Sequence, residues 1–238
     1  MAVTLVLTRH GGTPLSRPEQ HLGQRLDPGL SAEGRDAATA LGARLSGVGF
    51  DAVYSSPLAR AVETTRRIVG DAPIRTDRRL LEMDYGAWEG HTYAQISEID
   101  EDAREAWESD PADRKTPGGE SGNDVAARVR SFLEEAVGDA RVPRAGSAPG
   151  AAPVDRGTAA DVADRRILVV AHSTTNRVLL SVVLGTPLGD YRRTYLQTSC
   201  NLTVLRFDGS WNEPAMLLVA NDVAHLRGMR GATWDPGA

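Results

Sequence analysis

The chain has 238 residues, 41% hydrophobic and 25% charged, which is long enough to bury a core without staples and excludes collagen-like or wholly disordered chains. Its 27 basic and 32 acidic residues give a net charge of -5 with no long basic run, so a nucleic-acid partner is not expected. One cysteine, Cys200, cannot close an intrachain disulfide, the apolar start at residues 2–7 is short for a signal peptide and lacks its positive flank, and no stretch has the ~20 apolar residues of a membrane span; a cytoplasmic protein is expected.

Val3 to Thr8 reads as a buried strand running into Arg9, His10 and the pair Gly11-Gly12. Ser31 caps a helix with apolar positions at Ala37, Ala38, Leu41 and Leu45, stopped by Gly47 and Gly49. Asp51 to Ser55 is a second strand. Ser56-Pro57 predicts a helix start, with serine as the cap and proline at the first helical position. Its stripe is Leu58, Ala61, Val62, Thr65, Ile68 and Val69 up to Gly70, and Arg60 lies in the first turn off that stripe. Ile74 to Thr76 is a short strand, followed by an irregular segment from Leu80 to Gly90.

Thr92 to Ser109 has the pattern of a surface helix, with Ile96, Ile99, Ala103 and Trp107 as its apolar positions and a solvated acidic face. Val125, Val129, Phe132, Leu133 and Ala136 mark a helix after the glycine-rich Pro117 to Gly122. Residues 138–165 turn to Ala, Gly, Pro, Arg and Asp without aromatics, which predicts a flexible excursion inside one domain spanning 1–238. Ile167 to Ala171 is a buried strand ending on His172, and Thr174 to Leu184 continues as a helix terminated by Gly185 and Pro187. Leu202 to Phe207 and Met216 to Ala220 are strands separated by a turn at Asp208-Gly209. Strands interleaved with helices predict an α/β three-layer sandwich, a mostly parallel central sheet flanked by helices.

In such sheets ligands sit beyond the carboxyl ends of the strands. Arg9, His10, Arg60 and His172 all follow a strand closely, so they should converge at one edge. Two arginines there can fork onto the oxygens of a phosphate or carboxylate. Competing motifs fail on context: Gly47 to Ala52 fits a loose dinucleotide pattern but follows a helix and precedes a strand. No P-loop lysine, zinc-type histidine pair or Gly-x-Ser-x-Gly elbow is present in the sequence.

Thr8-Arg9-His10-Gly11, Ser55-Ser56-Pro57-Leu58-Ala59-Arg60-Ala61 and the run from Leu81 to Gly90 (LEMDYGAWEG) strongly resemble the histidine phosphatase superfamily, the phosphoglycerate mutase-like fold. Pro117 to Ser121, His172 after its strand, and Asn221 to Leu226 continue the resemblance in the same order, and the central block is closest to the phosphatase branch. The resemblance implies a metal-independent phosphatase, without a cofactor, that hydrolyses a small phosphorylated metabolite through a phosphohistidine. His10 would be the nucleophile. Arg9, Arg60 and His172 would hold the transferring phosphoryl group and keep His10 unprotonated. Glu82 would be the general acid, with Asp84 in reserve two residues on.

A phosphoglycerate mutase is the alternative among enzymes, and a non-catalytic phospholigand-binding protein the alternative from another class. His225 reads as a packing or hydrogen-bonding residue, His21 and His91 as loop residues near the site mouth without an assigned role, and Tyr85, Trp88 and Trp107 as scaffold. Gly12, Ser16 and Leu22 depart from the family pattern at positions that commonly line the substrate side. The resemblance therefore carries a reaction but no named substrate, and it leaves a homodimer open.

Overall fold

The computed structural model describes residues 2–138 and 164–229. Six strands form one sheet: β1 (Val3–Arg9), β2 (Ala52–Ser55), β3 (Arg75–Thr76), β4 (Arg165–Ala171), β5 (Leu202–Phe207) and β6 (Met216–Asp222). Their spatial order is β3-β2-β4-β1-β5-β6. The β3–β2, β2–β4 and β4–β1 pairs are parallel, whereas β1–β5 and β5–β6 are antiparallel. The sheet is therefore mixed, with its parallel part where the strand-end polar residues lie. The antiparallel edge follows from a local connection: β5 returns directly into β6, and no crossover helix separates them.

Alternation along the strands sets the three layers, because successive side chains leave a strand on opposite faces. Leu5, Leu7, Ile167, Val169 and Ala171 join a cluster with Val125, Val129, Phe132 and Leu133 of helix α4 (Gly122–Ala136) and Val178 and Leu179 of α5 (Ser173–Leu184). Val6, Leu168 and Val170 pack on the other face, against Ala38 and Leu41 of α1 (Ala32–Arg44) and Ala61 of α2 (Ala59–Val69). Each fully buried Leu, Ile, Val or Phe here stabilises the sandwich by about 1.5–3 kcal/mol before conformational entropy is counted. Among the described residues, no helix is long and apolar enough to cross a membrane.

Two helices differ from the sequence expectation. α2 starts at Ala59 with Leu58 in the cap position and no side-chain cap bond. Ser56 lies three residues before the first helical residue, and its hydroxyl bonds a histidine instead, as described below. The helix α3 (Tyr93–Ser109) breaks at Asp100, whose φ of -160° is not helical. The Asp100 carboxylate accepts the Ala103 N–H at 3.0 Å and so acts as a new cap that restarts the helix. That break leaves Ile99 61% exposed, although Ile96 and Trp107 on either side of it are buried. Of the expected excursion at 138–165, only Gly138 after α4, Asp164 and Arg165 at the start of β4 belong to the described residues; the rest of that expectation lies outside them.

Candidate active site

Sheet register builds the site. β1 and β4 pair with Arg9 opposite Ala171, and β2 and β4 pair with Ser55 opposite Val170. The next residue of each strand therefore emerges at the same edge: His10, Ser56 and His172. The ladder continues one step past the strands, since His10 N–H donates to the Ala171 carbonyl and Ser56 N–H to the Val170 carbonyl, both at 3.0 Å. Glycine is required just after His10, because a Cβ on Gly11 would come 2.5 Å from the Gly34 carbonyl oxygen in the first turn of α1. Gly11 N–H also donates to Thr64 Oγ1 of α2 at 2.9 Å, which fixes the loop carrying His10 against both helices.

The His10 and His172 rings lie 5.0 Å apart between centroids, tilted by 60°. His10 Nδ1 is 2.7 Å from the Gly11 carbonyl oxygen. A carbonyl only accepts, so Nδ1 carries the proton and Nε2 of the neutral ring keeps its lone pair. Burial pushes the His10 pKa well below the usual histidine range, and the charges of Arg60 and then Arg9 push the same way against the Gly11 hydrogen bond. His172 is also held well below that range, first by burial, then by Arg60 and His10. Its Nε2 lies 2.7 Å from Ser56 Oγ, which itself accepts the Leu58 N–H at 3.4 Å. With the Ser56 hydroxyl hydrogen given to Nε2, the neutral His172 ring carries its proton on Nδ1.

Arg9 and Arg60 are both adjacent to this pair but differ in their environment. Arg9 donates from NH1 to the Gln197 carbonyl at 3.0 Å and meets the exposed Glu19 at 3.5 Å. Arg60 is fully buried, and its NH1 and NH2 groups bond the Leu26 and Gly23 carbonyls at 3.1 and 2.8 Å and the Asp27 carboxylate at 3.1 Å. The sequence placed Arg60 off the apolar stripe; in the structure it is a buried cation bound by the 22–27 loop. Around the two histidines, Arg9 Nε, Arg60 Nε and His172 Nδ1 have no hydrogen-bond partner, and neither do Trp107 Nε1 and Arg177 Nε.

Glu82 is buried at the amino terminus of α5. Its Oε1 accepts from Met83 N at 2.9 Å, Thr175 N at 3.1 Å and Thr175 Oγ1 at 3.2 Å, while Oε2 accepts only from Thr174 N at 3.1 Å. Oε2 is thus the less committed oxygen. Asp84 is placed elsewhere: its Oδ1 accepts the Gly86 N–H at 2.8 Å and faces Arg25 at 3.7 Å, in a turn.

A cavity of about 120 Å³ opens onto this edge, lined among others by Arg9, His10, Glu82, Tyr85, Thr174 and Arg177. Asp84, Arg60 and His172 are not part of its wall. His21, read as a loop residue without a role, is buried and lines the cavity with Tyr93 and Trp107. Ser16 and Leu22 also line it, and Gly12 lines a neighbouring groove of about 670 Å³. Tyr85 and Trp107 serve both core and cavity wall, and the Tyr85 hydroxyl lies 2.7 Å from Thr174 Oγ1. His225 bonds the Cys200 carbonyl at 2.9 Å, which fits its packing role.

Sequence reading missed Ser173, Thr174, Arg177 and Arg192 in this wall. Ser173, Thr174 and Arg177 share one face of α5 at helical spacing, but residues 173–177 are all polar, so the sequence does not single that face out. Among the described residues, no group of three or more His, Cys, Asp or Glu could hold a metal ion.

Fold and geometry together define an α/β sandwich protein with two histidines flanked by arginines at the carboxyl edge of its parallel strands. Residues 5–142 and 151–220 match the model of the histidine phosphatase superfamily (branch 1), and the chain belongs to that family. Over 208 residues it is 33% identical to Bifunctional protein Rv2228c of Mycobacterium tuberculosis, covering 85% of this chain but only 50% of that protein. The chain thus spans about half the length of that curated relative. It is 35% identical over 190 residues to glucosyl-3-phosphoglycerate phosphatase of Mycobacterium tuberculosis, covering 79% of this chain and 78% of that one. The solved structure of Bacillus stearothermophilus YhfR superposes with a TM-score of 0.77 at 27% identity, covering 94% of this chain and 99% of that one.

Proposed function

We propose that this protein is a phosphatase that hydrolyses a small phosphomonoester through a phosphohistidine on His10. The observation that carries the reading is the set of unpartnered buried donors, Arg9 Nε, Arg60 Nε and His172 Nδ1, flanking a neutral histidine. Each buried donor left unpaired costs about 1–3 kcal/mol. Three of them around one ring are best matched by the oxygens of a phosphoryl group, with Arg9 and Arg60 offsetting its charge.

In the first step the His10 Nε2 lone pair attacks phosphorus, and the bond from phosphorus to the ester oxygen breaks. The departing oxygen takes a proton from Glu82, the buried carboxyl group of the cavity wall. In the second step Glu82, now a carboxylate, removes a proton from water. That water attacks phosphorus, the bond to Nε2 breaks, and inorganic phosphate leaves with His10 neutral and Glu82 protonated again. Arg60 contributes its charge from behind the histidines, with Nε as its uncommitted donor. Ser56 holds His172 in the tautomer that presents Nδ1–H.

Relatives named as glucosyl-3-phosphoglycerate phosphatase and phosphoserine phosphatase support hydrolysis, and one named as a probable phosphoglycerate mutase keeps isomerisation as the alternative. The test is a panel of phosphorylated metabolites, scored for both released phosphate and isomer formation. Released phosphate without isomer is the expected result. Isomer formation without phosphate would make the protein a mutase, and no reaction with any compound would leave only a binding role.

A further inference from the structure

Residues 22–27 form neither helix nor strand, and among the described residues no backbone–backbone hydrogen bond reaches them. Two charged side chains hold this backbone instead. The Glu89 carboxylate accepts three successive N–H groups: Gln24 at 2.8 Å and Arg25 at 3.3 Å on Oε1, then Arg25 and Leu26, both at 3.0 Å, on Oε2. Carbonyls of the same segment accept from Arg60, Leu22 at 3.4 Å and Gly23 at 2.8 Å from NH2, and Leu26 at 3.1 Å from NH1. Glycine at position 23 permits this close approach, since a Cβ there would collide with Glu89 Oε1 and with the Met83 carbonyl oxygen.

One peptide unit joins the two sets of bonds. The Gly23 C=O and the Gln24 N–H belong to the same planar trans amide and point in opposite directions, so that unit spans the space between the Arg60 guanidinium and the Glu89 carboxylate. Each end meets the charge it favours, and each bond strengthens the other. Burial disfavours the Arg60 charge, and the carboxylates of Glu82, Asp27 and Glu89 oppose that penalty. With NH1 and NH2 held by the segment, the planar guanidinium keeps Nε as its uncommitted donor. Glu89 is half-buried and is not part of the cavity wall, so it does not touch a substrate held there.

We infer that Glu89 is a positioning residue that acts on Arg60 through the backbone of residues 22–26, holding the guanidinium with its Nε–H free for the phosphoryl group. The inference rests on the phosphatase reading above. In Glu89→Gln the amide NH2 puts a donor against backbone N–H groups, so the segment is released on that side and Arg60 loses its fixed direction. Arg60 offsets charge that grows on the transferring phosphoryl oxygens, so the loss falls on kcat more than on KM.

The test is a double-mutant cycle on p-nitrophenyl phosphate with Glu89→Gln, Arg60→Lys and the double variant. Glu89→Gln should lower kcat by roughly 10- to 100-fold, the scale of a misplaced catalytic group, and change KM less than about threefold. Arg60→Lys already lacks the Nε–H and the planar fork, so adding Glu89→Gln to it should lower kcat by less than about threefold more. Glu89→Asp, which keeps the charge on a shorter side chain, should recover part of the loss. Equal kcat losses from Glu89→Gln in both backgrounds, or lost stability with unchanged kcat, would overturn the proposal. Calorimetric titration of orthovanadate into the same proteins separates this from failure of the phosphatase reading. Binding weakened by Glu89→Gln in the wild-type background but not beside Arg60→Lys, without hydrolysis of p-nitrophenyl phosphate, upholds the positioning role and rejects only the chemistry; binding that Glu89→Gln leaves unchanged overturns it. Should Glu89→Gln not fold, Glu89→Asp carries the same cycle, and should Arg60→Lys not fold, the kcat-against-KM split of the Glu89 variants decides.

Discussion

Replacing Glu82 by glutamine removes its proton and nearly keeps its shape, which makes it the sharpest probe of the acid. The amide oxygen can stay on Met83 N, Thr175 N and Thr175 Oγ1, the donors now on Oε1. The amide NH2 then faces the Thr174 N–H, which now donates to Oε2 at 3.1 Å. The buried Thr174 N–H is left facing an amide donor, which costs about 1.5–3 kcal/mol. For a chain of this size that lowers Tm by roughly 3–12 °C, so the variant should remain folded at 25 °C. The kinetic effect should be larger and selective. A positioned acid contributes ~100- to 10,000-fold when the leaving oxygen needs a proton, and far less when it does not. Glu82→Gln should thus slow an alkyl phosphate by about that factor and an activated aryl phosphate by less than ~10-fold, read in the burst phase that reports the first transfer. Asp84→Asn should change the two substrates equally, because Asp84 caps Gly86 outside the cavity wall. A selective defect that follows Asp84, or no selectivity in either variant, would refute this assignment of the acid.

Stability should fall with acid in a defined window. His10 and His172 are held neutral in the folded state, with pKa values pushed down from the ordinary histidine range. The unfolded chain takes up protons first as pH drops through about 6.5. The stability tied to the neutral rings is therefore complete above that pH and is lost below it, at up to ~1.4 kcal/mol per pH unit for each ring. Urea unfolding at pH 7.5, 6.5 and 5.5 should show the decline, and His172→Gln should make it shallower; a slope unchanged by that variant contradicts the reasoning. Ser56→Ala removes the 2.7 Å partner of a buried His172 nitrogen, so it should cost about 1–3 kcal/mol in chemical denaturation and lower kcat more than it raises KM. A loss of stability with unchanged kcat would mean that Ser56 only fills space. Because arginines supply the positive charge, exhaustive chelation should leave turnover nearly unchanged; activity that vanishes and returns only with an added divalent ion would contradict the mechanism.

Much of the architecture is written in short, strong signals. The continuous apolar runs Leu5 to Leu7 and Ile167 to Ala171 mark strands buried on both faces, and the polar residues just past them mark the site edge. What the sequence hides is set by long-range contacts. Ser56-Pro57 has the chemistry of a helix start, yet His172 captures the serine because β2 and β4 are paired. Arg60 is legible in the sequence as a site-edge cation, but its burial is set by the carbonyls of the 22–26 loop that close around it. Asp100 breaks α3 with a single side-chain bond that no periodicity reveals. Arg177 ends the polar run that opens α5, and only the position of the cavity shows which residues of that run face the same space.

The covalent intermediate is the centre of the account, and trapping it tests that centre most directly. Wild-type protein incubated with a substrate labelled at phosphorus, quenched in alkali and digested, should yield one acid-labile, alkali-stable phosphopeptide carrying His10. His10→Ala, folded by circular dichroism, should carry no label and release no phosphate. Label on any other residue, or phosphate release by the folded His10→Ala variant, would contradict it.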